Sequence, residues 1–242
     1  MADDEAREAR LAVLIDADNA RAHYLEQLII EIAKYGRASV RRAYGDWTST
    51  QLGSWKPELL RHSIQPMQQF SYTTGKNATD SAMIIDAMDL LYGGNLDGFC
   101  IVSSDSDFTR LAARIREQGL LVYGFGERKT PQPFVAACDT FVYVENLSEE
   151  PAPEPTATKP LLKGDRTLDR LLAEATEAAA GDDGWAQLGT VGSNLSRLAS
   201  DFDPRTWGFR KLKDLMDAHP HYQVKARATG EGKTPQTHVR RV

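Results

Sequence analysis

The sequence predicts an α/β chain: a doubly wound, mostly parallel sheet followed by a small winged helix-turn-helix domain. Three observations carry this. Short, uniformly apolar runs end on carboxylates, as strands buried on both faces of a parallel sheet do. These runs alternate with amphipathic helical stretches, the pattern of repeated βαβ units. A stretch rich in Pro, Glu, Ala and Thr, residues 147–164, divides them from a segment with three helical patterns and a terminal hairpin. The expected domains are therefore 1–146 and 165–242, with an extended linker between them.

The first strand is Leu11–Ile15, which runs into Asp16, Asp18 and Asn19. Ala20–Tyr35 reads as a helix with Leu25, Leu28, Ile29 and Ile32 on one face and Gly36 as its stop. Ser39–Tyr44 is a second strand, followed by Gly45, Asp46 and Trp47. Leu52–His62 reads as helical with Pro57 near a break. Ser63–Phe70 is a short strand whose Pro66 places it at an edge. Thr73–Asp80 is a polar loop in which Thr79 caps a helix over Ser81–Leu91. Phe99–Val102 repeats the first pattern and ends on Ser103, Asp105 and Asp107, with a helix from Asp107 to Gln118 behind it. Leu120–Phe125, Pro133–Cys138 and Phe141–Val144 read as strand, short helix and strand. In the second domain Thr167–Ala180, Thr190–Ser200 and Trp207–Ala218 are helices and Trp185–Leu188 is a short strand. Tyr222–Ala228 and Thr237–Val242 form a hairpin around Gly230 and Gly232.

Of the 242 residues 41% are hydrophobic, enough for a core in each domain, and the net charge of −5 argues against a chain that binds polyanions over its whole surface. The charge is uneven. From Pro204 onward nine Lys and Arg stand against three acids, a net +6, which points to nucleic acid. Cys100 and Cys138 lie in apolar stretches and read as buried, reduced thiols, with neither zinc nor disulfide spacing. The acidic start lacks the apolar core of a secretion signal, and no run nears the roughly 18 apolar residues of a membrane helix. A cytoplasmic protein without membrane association is expected.

In open α/β sheets the chemistry sits beyond the carboxyl ends of the strands. Asp16, Asp105 and Asp107 fall there, and Asp80 stands at the mouth of a helix. Several carboxylates in one small space suit Mg²⁺ or Mn²⁺, hard cations that prefer oxygen, and such ions activate water against phosphodiesters. Asn19 is placed to orient Asp16 or a water. Asp46 is a secondary candidate. So is Asp86, about 120° round the helix from Asp80, whereas Asp89, at about 180°, faces solvent. Taken singly, each acid also reads as a helix cap, Asp107 of its own helix among them. Arg41, Arg42, Lys76, Arg110 and Lys129 are candidate phosphate contacts, as are Arg210, Lys211, Lys213, Lys225 and Arg227 in the basic tail. The five histidines are scattered and form no triad pattern.

Three blocks resemble the signature of NYN domains, which are PIN-like, metal-dependent ribonucleases: Val13–Asn19; Lys76–Asp80 with Asp86; and Ser103–Phe108. Tyr44–Trp47 and the runs Gly124–Pro131 and Cys138–Phe141 are also similar to that family. The resemblance covers roughly residues 10–146. It implies a PIN-like fold, metal bound by Asp16, Asp80, Asp105 and Asp107, and hydrolysis of RNA. In the second block Asn77-Ala78-Thr79 stands where the family more often has a Gly and an apolar residue. Residues 165–242 resemble the LOTUS (OST-HTH) winged helix, with Gly208, Phe209, Lys211, Leu212 and Leu215 in that family's helix start and Trp207 in place of its usual Tyr. That resemblance implies binding of single-stranded or structured RNA, G-rich folds included, and in some members of an RNA helicase.

The expected function is a metal-dependent RNA endonuclease with catalytic residues Asp16, Asn19, Asp80, Asp105 and Asp107. Two alternatives exist. Asp16 and Asp18 after a strand mimic the nucleophile motif of haloacid-dehalogenase phosphatases, but Ala20 replaces the expected Thr or Val and the Gly-Asp-Asp block is missing. A non-catalytic RNA-binding adaptor has no need of the full acidic set.

Overall fold

The computed structural model describes residues 8–70, 78–147, 162, 165–227 and 235–242, and the chain divides into two compact units, Met1–Glu149 and Glu150–Val242. Lys76, nearly all of the proline-rich stretch and the hairpin tip at Gly230 and Gly232 lie outside the described residues.

In the first unit β1 (Arg10–Asp16) is followed by α1 (Leu25–Ile32), β2 (Arg37–Gly45), α2 (Trp55–Arg61), β3 (Gln65–Gln68) and α3 (Ala78–Tyr92). Then come β4 (Gly98–Val102), α4 (Thr109–Glu117), β5 (Leu121–Gly126), α5 (Gln132–Ala137) and β6 (Thr140–Tyr143). The six strands are all parallel, in the order β3-β2-β1-β4-β5-β6. The chain winds outward from β1 one way and from β4 the other, so the strand order reverses between β1 and β4. Successive side chains of β1 point to opposite faces. Leu11, Val13 and Ile15 pack with α1 and α2 on one face; Ala12 and Leu14 pack with α3, α4 and α5 on the other. Burial on both faces is what the uniformly apolar runs demanded, and β3 with Pro66 lies at an edge.

Three boundaries differ from expectation, each for a local reason. The helix expected from Ala20 begins as a 3-10 turn at Ala22–Tyr24 and becomes α only at Leu25. Residues 17–20 are tied back to the strand end instead, with the Ala20 amide donating to the Asp16 carbonyl at 2.8 Å. Pro57 breaks nothing: it sits in the first turn of α2, where its missing N–H would have had no helical partner. Thr79 lies inside α3 rather than capping it, and its hydroxyl donates to Asp18 at 2.8 Å.

The second unit holds α6 (Arg166–Glu177), β7 (Ala186–Gln187), α7 (Leu188–Leu198), α8 (Leu212–Ala218), β8 (Tyr222–Arg227) and β9 (Gln236–Arg241). The strands form an antiparallel sheet in the order β7-β9-β8 over a core of Leu168, Leu172, Val191, Leu195, Leu215, Met216 and Val239, a winged helix. The helix expected from Trp207 to Ala218 is divided. Pro204–Trp207 is a 3-10 turn, and Gly208 at φ +81° stops it in the left-handed conformation that glycine adopts without strain. Arg210 and Lys211 consequently precede α8 and only Lys213 is on it.

Close packing at β5 generates a prediction. A Cβ on Gly124 would stand 2.4 Å from Phe141 Cδ2 and 2.6 Å from Cys138 Sγ, both buried. Gly124→Ala is expected to destabilise the first unit by about 1–3 kcal/mol, the usual cost of overpacking a core, read as a lowered denaturation midpoint.

Candidate metal centre

β1 pairs with β4 in the register Ile15↔Val102, so both strands end at the same level of the sheet. Asp16, the last residue of β1, is fully buried. Its Oδ2 accepts from Asn19 Nδ2 and from Ser103 Oγ, each at 2.8 Å, and its Oδ1 accepts from the Asn19 amide at 3.3 Å. Burial pushes its pKa above the ordinary carboxylate value, opposed by those hydrogen bonds. Asn19 thus orients Asp16, as its spacing predicts. Ser103 also accepts from the Asp105 amide at 3.1 Å, binding the tip of β4 to the end of β1.

Asp105 follows in extended conformation and caps the 3-10 turn Ser106–Phe108 that leads into α4, its Oδ1 accepting from the Asp107 amide at 2.9 Å. The cap is therefore Asp105, not Asp107. From the first turn of α3 comes Asp80. Asp80, Asp105 and Asp107 each offer a carboxylate oxygen, and the three oxygens lie within 4.8 Å of one another. The Asp80 pKa rises to about 6, first because the group is desolvated and then through the charges of Asp16, Asp105, Asp107 and Asp18. Asp16 is outside the triplet yet is the strongest charge acting on Asp80.

An all-carboxylate set fits a hard divalent cation such as Mg²⁺ or Mn²⁺. These acids repel one another when unprotonated, and that repulsion adds to desolvation in raising Asp80. The exposed Asp107 leaves one side of the set open to solvent.

Not every expected residue joins the cluster. Asp86 sits across α3, where Arg42 pairs with it and the Tyr44 hydroxyl donates to it. This bridge clamps α3 to β2 and leaves Asp86 without an assigned metal role, and Arg42 without one toward phosphate. Arg41 donates from Nη1 to the His62 carbonyl at 2.9 Å. Asp46 accepts from Thr48 Oγ1 at 2.6 Å in its own loop and from Gln68 Nε2, at the end of β3, at 2.9 Å. Arg110 is exposed at the start of α4. Lys129 is exposed and pairs with Glu127 at 2.8 Å; Arg21 pairs with the same carboxylate at 3.1 Å. In the second unit Arg210, Lys211, Lys213, Lys225 and Arg227 are all exposed. Sequence reasoning missed Ser103 and Asp18, both within the blocks it singled out. Ser103 carries no chemistry of its own, and Asp18 was weighed only as a phosphatase nucleophile motif.

A sequence model of the NYN domain matches residues 10–146, and one of the OST-HTH/LOTUS domain matches residues 159–234. Among solved structures the chain is similar to a crystal structure of a protein of unknown function from Vibrio parahaemolyticus RIMD 2210633. That match has 21% identity and a TM-score of 0.49, over 59% of this chain and 96% of that one. It is also similar to the solution structure of an uncharacterized protein from Nitrosomonas europaea, at 31% identity and a TM-score of 0.31, over 39% of this chain and 90% of that one. A protein from Chromobacterium violaceum is similar at 32% identity and a TM-score of 0.27, over 33% of this chain and 84% of that one. No curated protein matches. Among the described residues no helix is long and apolar enough to cross a membrane.

Two measurements check this site. Mn²⁺ or Mg²⁺ at a hundred times its Kd is expected to stabilise the first unit by about 2.7 kcal/mol, seen as a rise in Tm, and Asp105→Asn is expected to remove most of that rise. The second concerns pH. A carboxylate raised from 3.8 to about 6 binds its proton more tightly in the folded state, so the folded chain loses stability as pH rises through that window. In EDTA, Asp80→Asn should therefore melt higher than wild type above pH 6, with the gain fading as pH falls from 6 toward 4.

Proposed function

The chain belongs to the NYN domain family and carries an OST-HTH/LOTUS domain, and on that premise we propose that it is a metal-dependent RNA endonuclease. The observation that carries this reading is the convergence of Asp80, Asp105 and Asp107 beside the buried Asp16, at the point where the strand order reverses. A nuclease-type fold with an appended RNA-binding winged helix needs that convergence only if it cuts.

Asp80, Asp105 and Asp107 would hold Mg²⁺ or Mn²⁺. When bound, the ion supplies a polarised water and neutralises charge on the phosphodiester. Asp16 adds its negative charge from below, fixed by Asn19 and Ser103, so the site keeps its geometry while a ligand is exchanged. Asp105 is held twice over, by the Ser103 contact to its amide and by its own cap to Asp107, which limits the motion of the β4 tip. Water attacks phosphorus in line with the departing 3′ oxygen, which leaves with a proton, giving 5′-phosphate and 3′-hydroxyl products. Arg110 and Lys129 add phosphate contacts around the acidic centre, and the basic stretch from Pro204 onward supplies RNA affinity that the net-negative remainder of the chain lacks.

The test is cleavage of a labelled single-stranded RNA with Mn²⁺, with Mg²⁺ and with EDTA. Wild type is expected to cut only with metal, and Asp105→Asn to lose at least about a hundredfold of the rate, in the range seen when one transition-state contact is removed. Intact RNA binding with no cutting under any metal would replace the nuclease by the adaptor reading.

A further inference from the structure

The outer face of the three-stranded sheet in the second unit has a composition that the winged-helix core does not explain. β7 pairs with β9 in the register Ala186↔Val239, and β8 with β9 in the register Val224↔Val239, all three directed toward the core. Strand alternation then puts Gln187, Gln223, Lys225, Arg227, Gln236, His238 and Arg240 on the opposite face. Trp185, just before β7, has the same parity. Among the described residues of these strands that face carries cations, amides and one large aromatic ring, and no acid.

The cations converge on the ring. Arg240 lies 4.9 Å from the centroid of the Trp185 indole, Arg227 5.4 Å and Lys225 5.6 Å. Each contact is favourable singly, but three like charges round one ring repel one another. Asp183 offsets one of them, pairing with Arg227 at 2.6 Å. The backbone that carries the indole is held on both sides: the Trp185 amide donates to Asp183 Oδ1 at 3.1 Å, and its carbonyl accepts from the Gly181 amide at 3.0 Å. By contrast the Trp207 indole N–H donates to Asp165 at 3.0 Å and its ring packs against Phe202 and the core of this unit.

A sheet face with an aromatic ringed by cations, surplus positive charge and amides, of which Gln223 accepts from Arg240 at 3.2 Å, matches the needs of unpaired nucleic acid. Bases stack on the aromatic, phosphates meet the cations, and amides reach base edges. We propose that single-stranded RNA crosses this outer face, with a base stacked at Trp185 and phosphates held by Lys225, Arg227 and Arg240. This rests on the RNA-binding reading above and assigns it to the sheet rather than to the stretch around α8.

The experiment is binding of a fluorescein-labelled single-stranded oligoribonucleotide to the full chain in EDTA, read by anisotropy between 50 and 200 mM salt. Trp185→Ala is expected to weaken binding about ten- to hundredfold, as loss of one base stack does, with an unchanged salt slope. Trp185→Phe should restore most of it. Lys225→Ala and Arg240→Ala should each weaken binding and lower the salt slope by about one. A duplex of the same sequence should bind less tightly. A Trp185→Ala chain that melts as wild type and binds RNA equally well overturns the proposal. Loss confined to Arg210→Ala and Lys213→Ala also overturns it while leaving RNA binding by this unit intact. Wild type that binds no RNA removes both readings.

Discussion

The parallel pairing of β1 with β4 is the constraint from which the rest of the first unit follows. These strands are buried on both faces, so their register is fixed by packing above and below the sheet, and their tips cannot slide apart. Asp16 ends one tip; Ser103 begins the other and bonds to it. The sheet is thereby obliged to hold carboxylates together against their own repulsion. Two unit charges about 5 Å apart repel by about 3 kcal/mol at an effective dielectric near 20, less where solvent screens them as at Asp107. Burial and this repulsion together make Asp80 hold its proton more tightly. A divalent cation relieves the repulsion, and the core around Leu14, Ile101 and Phe108 provides the rigidity that keeps the arrangement from relaxing.

The central strands β1 and β4 were the most legible part of the sequence, because burial on both faces leaves a uniformly apolar run. The acidic blocks were legible for a related reason: a carboxylate directly after such a run falls at the sheet's reactive edge. Helix starts were less so. Asn19 bonding back to Asp16 holds residues 17–20 in a turn that periodicity does not register, and Gly208 interrupts a pattern that is otherwise continuously helical. The pairing of Asp86 with Arg42 was not legible for want of tertiary information. They are 44 residues apart, and only their meeting between α3 and β2 turns a candidate ligand and a candidate phosphate contact into a structural bridge.

The second unit solves a different problem with similar economy. Its core is small, and its sheet is covered on one side only, so alternate positions of β8 and β9 are free of packing demands. Those positions hold cations, amides and, at the neighbouring β7, an aromatic ring. The charge excess visible from Pro204 onward thus resolves into two populations: a set around α8 with charge alone, and a set on the sheet organised about Trp185.

The central claim is that Asp80, Asp105 and Asp107 form a cation site. The most direct measurement is anomalous diffraction from crystals of the full chain soaked in Mn²⁺. The account predicts a manganese peak about 2.2 Å from one oxygen of each of the three carboxylates, as hard oxygen ligands to small divalent ions require. A crystal with manganese elsewhere and none among these side chains, or with a lysine or arginine neutralising them in place of a metal, would contradict it.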